Sequence, residues 1–256
     1  MLGLPMSTST TTLYALPGSH PCAAVEVALR MKSIDFSRVD LLPLTPLVVG
    51  PLRYGGVTVP GMRIDGERLV GSRTIMRRLD ELVAEPALLP AAGTPAYAQV
   101  LEAERWGDAV LQGAPRRILD LAFLRVPEAM LSYAGDAKLP LPKALQRPAA
   151  PLTARLMAFK NKAREDAVRA DLAALPSQLE RIDAWIAEGL LGGEQPNAAD
   201  LQIGSTIQLL LTIADLRPLI EAHPAASLAR YFPPSPGEVP AGVLPAAWVP
   251  ATPAGV

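Results

Sequence analysis

Residues 57–83 read VTVPGMRIDGERLVGSRTIMRRLDELV, and their reading decides the fold. Asp65-Gly66 separates two short apolar runs, Met62–Ile64 and a second ending at Val70. Both turn positions tolerate positive φ, so the spacing predicts a tight β-hairpin. From Ser72 onward Ile75, Met76, Leu79, Leu82 and Val83 recur on one helical face. The Ser72 hydroxyl is expected to cap that helix by accepting a backbone N–H. Such a helix start has free N–H groups carrying partial positive charge, a natural seat for an anion. A Thr-Val-Pro turn, a hairpin and an anion seat therefore follow one another within a single small unit.

Upstream, Thr11–Leu16 is a strand candidate stopped by Pro17-Gly18. Ser19-His20-Pro21-Cys22 opens a helix through Lys32, with Pro21 expected at the first helical position, where its missing N–H costs nothing. Phe36–Leu42 is a second strand candidate, giving a βαβ start. Pro43–Gly56, with three prolines and three glycines, reads as an irregular connection before the hairpin. Downstream, Glu85–Pro95 has three prolines and a glycine and marks a domain boundary. Beyond it only helical patterns occur. Ala96–Leu124 is expected to break at Pro115, Arg125–Pro151 to be mostly loop, and Thr153–Leu175 and Ser177–Leu191 to form separate runs around Pro176. Asn197 opens a helix through Leu211, and a short one is expected over Leu216–Ala222. The last 24 residues contain seven prolines and are expected to be extended unless Trp248 packs them on the body. The expected organisation is a loose tail (1–10), an α/β unit (11–85), a linker (86–94), an all-helical unit (95–225) and a proline-rich tail (226–256).

Half of the 256 residues are apolar, ample for a buried core. Lys plus Arg (24) balances Asp plus Glu (25), so no field favours nucleic acid or an acidic membrane. One cysteine, Cys22, excludes an intrachain disulfide, and two distant histidines argue against a zinc site. Leu201–Ala214 falls short of the ~20 residues a membrane span needs. The N-terminus lacks a basic region followed by an apolar one, so a cytoplasmic protein is expected.

Four landmarks resemble the soluble glutathione S-transferase superfamily. They are Pro17-Gly18-Ser19-His20-Pro21-Cys22, Val59-Pro60, Gly71-Ser72 and Asn197-Ala198-Ala199-Asp200, in that order. The resemblance implies a thioredoxin-like α/β N-terminal domain (βαβ-ββα) followed by an all-α helical bundle. It implies a cis bond before Pro60, so that the Val59 backbone pairs with glutathione, and a Ser72 helix start, with Arg73 nearby, that takes the γ-glutamyl carboxylate. Ser19 would stabilise the thiolate, with Tyr14 and Cys22 as alternatives; the bland readings are a turn hydroxyl, a core tyrosine and a small buried residue. His20 reads as a partly exposed loop residue, and Trp106 as core or as a co-substrate wall. Asn197 and Asp200 read as a structural capping box. Gly71 departs from the acid the superfamily usually carries there.

The implied activity is conjugation of glutathione, or a related thiol, to a small hydrophobic electrophile. It needs no metal or redox cofactor, glutathione being the co-substrate, and a homodimer is expected. The rivals are a non-catalytic binding module and a glutathione-dependent thiol oxidoreductase.

Overall fold

The structure, a computed structural model, describes residues 11–252; the tail expected over residues 1–10, and residues 253–256, lie outside that part. The chain begins β1 (Thr11–Ala15), α1 (His20–Met31), β2 (Ser37–Asp40), α2 (Pro46–Arg53), β3 (Gly61–Ile64), β4 (Glu67–Val70), α3 (Ser72–Leu82). The sheet runs β2-β1-β3-β4, with β1 and β2 parallel and the other pairs antiparallel. Parallel neighbours need a crossover, and α1 supplies it. The hairpin turns at Asp65-Gly66, both with positive φ, in the register Met62 opposite Leu69.

Side chains alternate across β1. Leu13 and Ala15 face a core with Val25 and Leu29 of α1 and Ile75, Met76 and Leu79 of α3. Tyr14 takes the opposite face and packs on Tyr54, ring centroids 5.1 Å apart, beside Leu41. The connection expected to be irregular contains α2, which starts at Pro46 and carries Pro51 inside it. Its proline and glycine content hid it.

The helical unit comprises α4 (Pro95–Trp106), a π turn (Gly107–Leu111), α5 (Gly113–Arg125), α6 (Pro127–Ser132), α7 (Lys143–Asn161), α8 (Glu165–Ala187), α9 (Ala198–Leu211) and α10 (Arg217–Glu221). Two 3-10 turns follow, at Pro224–Tyr231 and Ala246–Trp248. Three sequence readings are corrected. The first long run breaks at the π turn, where the Gln112 N–H reaches the Gly107 carbonyl, and not at Pro115. Arg125–Pro151 is not mostly loop: it holds α6 and the first half of α7, with Pro148 and Pro151 inside the latter. The next boundary falls at Lys162, with φ +54°, while α8 runs through Pro176 unbroken. Buried Val168, Leu172, Leu175, Leu179 and Ile182 form one stripe across that proline, so packing outweighs the hydrogen bond it removes.

The π turn has a packing purpose. A Cβ on Gly107 would lie 2.8 Å from Ile203, so only glycine lets α9 approach this closely. Helix α9 itself starts on a complete capping box: the Asn197 side chain accepts from Ala199 and Asp200, and Asp200 accepts from the Asn197 N–H. Lys32, 3% exposed, clasps the N-terminal unit to the linker by donating to Asp80, Val83 O and Pro86 O. Asp80 in turn accepts from the N–H groups of Leu88 and Leu89.

Candidate functional site

The Leu16–His20 turn between β1 and α1 stands between two cavities. The first, about 370 Å³, is walled by this turn, by Leu42–Leu47, by Val57–Val59 and by α5, α6 and α7. The second, about 350 Å³, lies toward Glu26, Arg30, Arg38 and Asp40 and is lined by Pro233–Pro236 of the C-terminal segment.

Ser19 is half-buried at the N-cap position of α1 and lines both cavities. Its side chain makes no capping bond to its own helix. Val59 shares the wall of the first cavity, and its bond to the buried Pro60 is cis. The Val59 N–H meets no partner among the described residues. Tyr14 and Cys22 line neither cavity. Tyr14 is packed in the sheet, and burial pushes the Cys22 thiol to about 11, against a lowering from the Ser19 hydroxyl. Thiolate is the reactive form, so a thiol at that value is nearly all protonated at neutral pH.

His20 is not the partly exposed loop residue expected. It is 4% exposed in the first turn of α1, with Nε2 sealed from solvent and without a partner. Burial, then the charge of Arg116, hold its pKa well below the ordinary histidine value, so the ring is neutral.

The α3 start differs from the expected cap. Gly71, at φ +88°, occupies the cap position and Ser72 is the first helical residue. The Ser72 hydroxyl donates to Gln202 Oε1 (3.0 Å), while Gln202 Nε2 donates to Gln112 Oε1 (2.7 Å). Gln112 lies just past the π turn, so a side-chain chain crosses from α3 through α9 to that turn. Arg73 is drawn the same way: it bonds Glu104 (3.3 Å), which Arg77 grips with two further bonds. Glu104 is fully buried and ion-paired with both arginines. What α3 leaves free is its backbone: the N–H groups of Ser72, Arg73 and Thr74 have no partner among the described residues. Neither Ser72 nor Arg73 lines the cavity that Ser19 and Val59 share.

The remaining walls of the first cavity went unread in the sequence. Leu119, Phe123, Leu131 and Met157 make an apolar lining, into which Arg116, Asp120, Lys160 and Asn161 project polar groups. Asp120 is 3% exposed, accepts from Asn161 Nδ2 (2.7 Å), and is raised by burial to about 6. Arg116 and Asp120, four residues apart on one helical face, gave the one available signal. Nothing in the pattern said that this face borders a cavity. Trp106 lies elsewhere, edge-on to Trp185 in the helical core.

A four-stranded mixed sheet with helices is followed by a helical bundle, and the β1–α1 turn lies between the two. Residues 13–87 match the family model described as the N-terminal domain of glutathione S-transferase. Among solved structures, a glutathione S-transferase from Rhodospirillum rubrum F11 is similar at 20% identity and a TM-score of 0.55, over 87% of this chain and 86% of that one. Rice GST1 in complex with glutathione gives 14% and 0.58, over 90% and 93%. The theta-class enzyme of Xanthomonas axonopodis pv. citri with glutathione bound gives 18% and 0.51, over 78% and 82%. No curated protein matches the chain. The family match thus covers the sheet-containing N-terminal part of the chain, and the chain as a whole has the fold of the solved glutathione S-transferases.

Proposed function

We propose that the protein is a glutathione transferase that joins the thiol to a small electrophile held in the first cavity. The observation that carries this is the shared wall of that cavity: the Ser19 hydroxyl, which caps no backbone N–H of α1, stands there with the unpartnered Val59 N–H. The Val59 N–H and C=O pair with the tripeptide's backbone, and the free N–H groups at the start of α3 hold its γ-glutamyl carboxylate. The thiol then lies by Ser19, where a donated hydrogen bond and the N-terminus of α1 favour the thiolate. The sulfur attacks the electrophilic carbon, and as the C–S bond forms the displaced electron pair departs with the leaving group; no metal or redox cofactor enters the step, and glutathione is the co-substrate. A homodimer, placed in the cytoplasm, is part of this reading; among the described residues no helix is long and apolar enough to cross a membrane.

One observation favours the rival, a binding module without catalysis. The Ser72 hydroxyl and Arg73 are engaged with the helical unit, and Gly71 offers no acid for the ligand's amino group. A reductase is disfavoured, because position 19 is serine and Cys22 is a buried thiol at about 11.

Retention on glutathione-agarose and a conjugation assay with a general electrophile test the proposal. Wild type should bind and turn over, and Ser19→Ala should lose about 10- to 100-fold in kcat/KM, the range for removing a hydrogen bond to a charged group. Binding without turnover, with Ser19→Ala unchanged, would establish the module instead.

A further inference from the structure

The first cavity holds a charge that conjugation to a neutral apolar electrophile does not use. Arg116 projects from α5 into it. Its guanidinium donates no hydrogen bond and joins no ion pair among the described residues, yet its nitrogens are not sealed off from solvent. A guanidinium has five donors and keeps its charge in proteins, so a half-buried one without a partner is costly unless something fills the fork. The nearest carboxylate on its own face, Asp120, is engaged with Asn161. Elsewhere in this cavity Lys160, exposed near the end of α7, adds a second positive charge, and His20 is neutral. Asp108 and Arg117, which also act on Arg116 through their charges, do not line it.

We propose that this cavity selects amphipathic carboxylates, the carboxylate seated on Arg116 and the apolar body on Leu119, Phe123 and Met157. Arg116 and Lys160 against Asp120 give the cavity one net positive charge, which suits a monoanion; a dianion would keep an unmatched charge in an apolar chamber. The planar fork fits a carboxylate with two parallel bonds. The volume falls in the range of ordinary small-molecule sites. This rests on the transferase reading for the chemistry but not for the binding: the electrophile is one that bears an acid group.

Two matched pairs separate binding from chemistry. Without glutathione, 4-phenylbutyrate and its uncharged amide are titrated into the protein by calorimetry. The acid should bind about 10- to 100-fold tighter, the range for a charge-assisted hydrogen bond. Arg116→Met should bring that ratio close to one and Arg116→Lys should keep part of it, with melting temperature checking that each variant folds. With glutathione, 4-chloro-3-nitrobenzoate and its carboxamide are compared as electrophiles. Thiolate sulfur attacks the carbon bearing chlorine, the C–S bond forms, and chloride leaves with the electron pair of the C–Cl bond. The acid should show the higher kcat/KM in wild type. Preferential binding of the acid with neither arene turned over supports the carboxylate site and overturns only the transferase reading. Equal or tighter binding of the amide, or no binding of either, overturns the proposal even if conjugation occurs.

Discussion

Asp120 shows how a single side chain records the character of its surroundings. It is 3% exposed in a largely apolar wall, and desolvation is the largest influence on it, ahead of Asn161, Arg116 and Lys160, all of which favour the charged form. The outcome is a carboxyl raised from 3.8 to about 6. A raised folded-state value means its contribution to stability is fully present below the unfolded value near 3.8 and is lost as pH rises through about 6. Across that window the loss is about 3 kcal/mol at about 1.4 kcal/mol per tenfold change in proton affinity. Asp120→Asn keeps an acceptor for Asn161 and removes the titration. Urea unfolding at a series of pH values from 4 to 7 should show wild type losing about that amount relative to the variant. Two curves that stay parallel across the series would mean that Asp120 ionises normally. This residue was invisible in sequence because its neighbours at the cavity come from α5 and α7, about 40 positions apart.

At the scale of elements, the hairpin, α3 and the capping box of α9 were legible because each is set by local chemistry: positive φ at Asp65-Gly66, a helical apolar stripe, a side chain closing on its own backbone. The Ser72 assignment shows the limit of that legibility. A serine at a helix start next to an apolar stripe reads as a cap, but its hydroxyl is used 130 positions away, on Gln202. Gly71, which cannot cap through a side chain, takes the position instead. The path of α8 through Pro176 was missed for a related reason, since the buried stripe packed across it overrides the local signal of proline, while α2 was hidden by its own prolines and glycine. The consequence for Ser72 is testable. Ser72→Ala leaves the buried Gln202 Oε1 without its donor, which costs about 1–3 kcal/mol. The loss should appear in the denaturation midpoint, while glutathione affinity stays within about twofold, because backbone N–H groups hold the carboxylate. About tenfold weaker binding at unchanged stability would return the hydroxyl to the ligand.

For the whole molecule the question left open by composition was the proline-rich C-terminal segment. Seven prolines with no helical or strand period said only that regular structure was absent. The structure shows why order does not require it. Val239, Val243 and Leu244 are buried in the helical core, and Ile213 and Val239 form a single parallel bridge. Asp215 accepts from the N–H groups of Gly242 and Leu244 at 2.7 and 2.8 Å, and Arg125 donates to the Val243 carbonyl. Trp248 lies beneath the guanidinium groups of Arg125 and Arg169, 5.1 and 5.6 Å from the ring centre. The segment therefore completes the bundle, and Pro233–Pro236 close the second cavity beside Ser19. Burying an aliphatic side chain contributes about 1.5–3 kcal/mol, so three of them contribute about 4.5–9 kcal/mol. Domains of this kind have a net stability of about 5–15 kcal/mol, so removing residues 238–256 should take away a large share of it. Thermal unfolding followed by circular dichroism should show the truncated chain melting far below the full one, or without a cooperative transition. An unchanged melting temperature would mean that these contacts add nothing and that the segment is an appendage on a bundle already complete at residue 237.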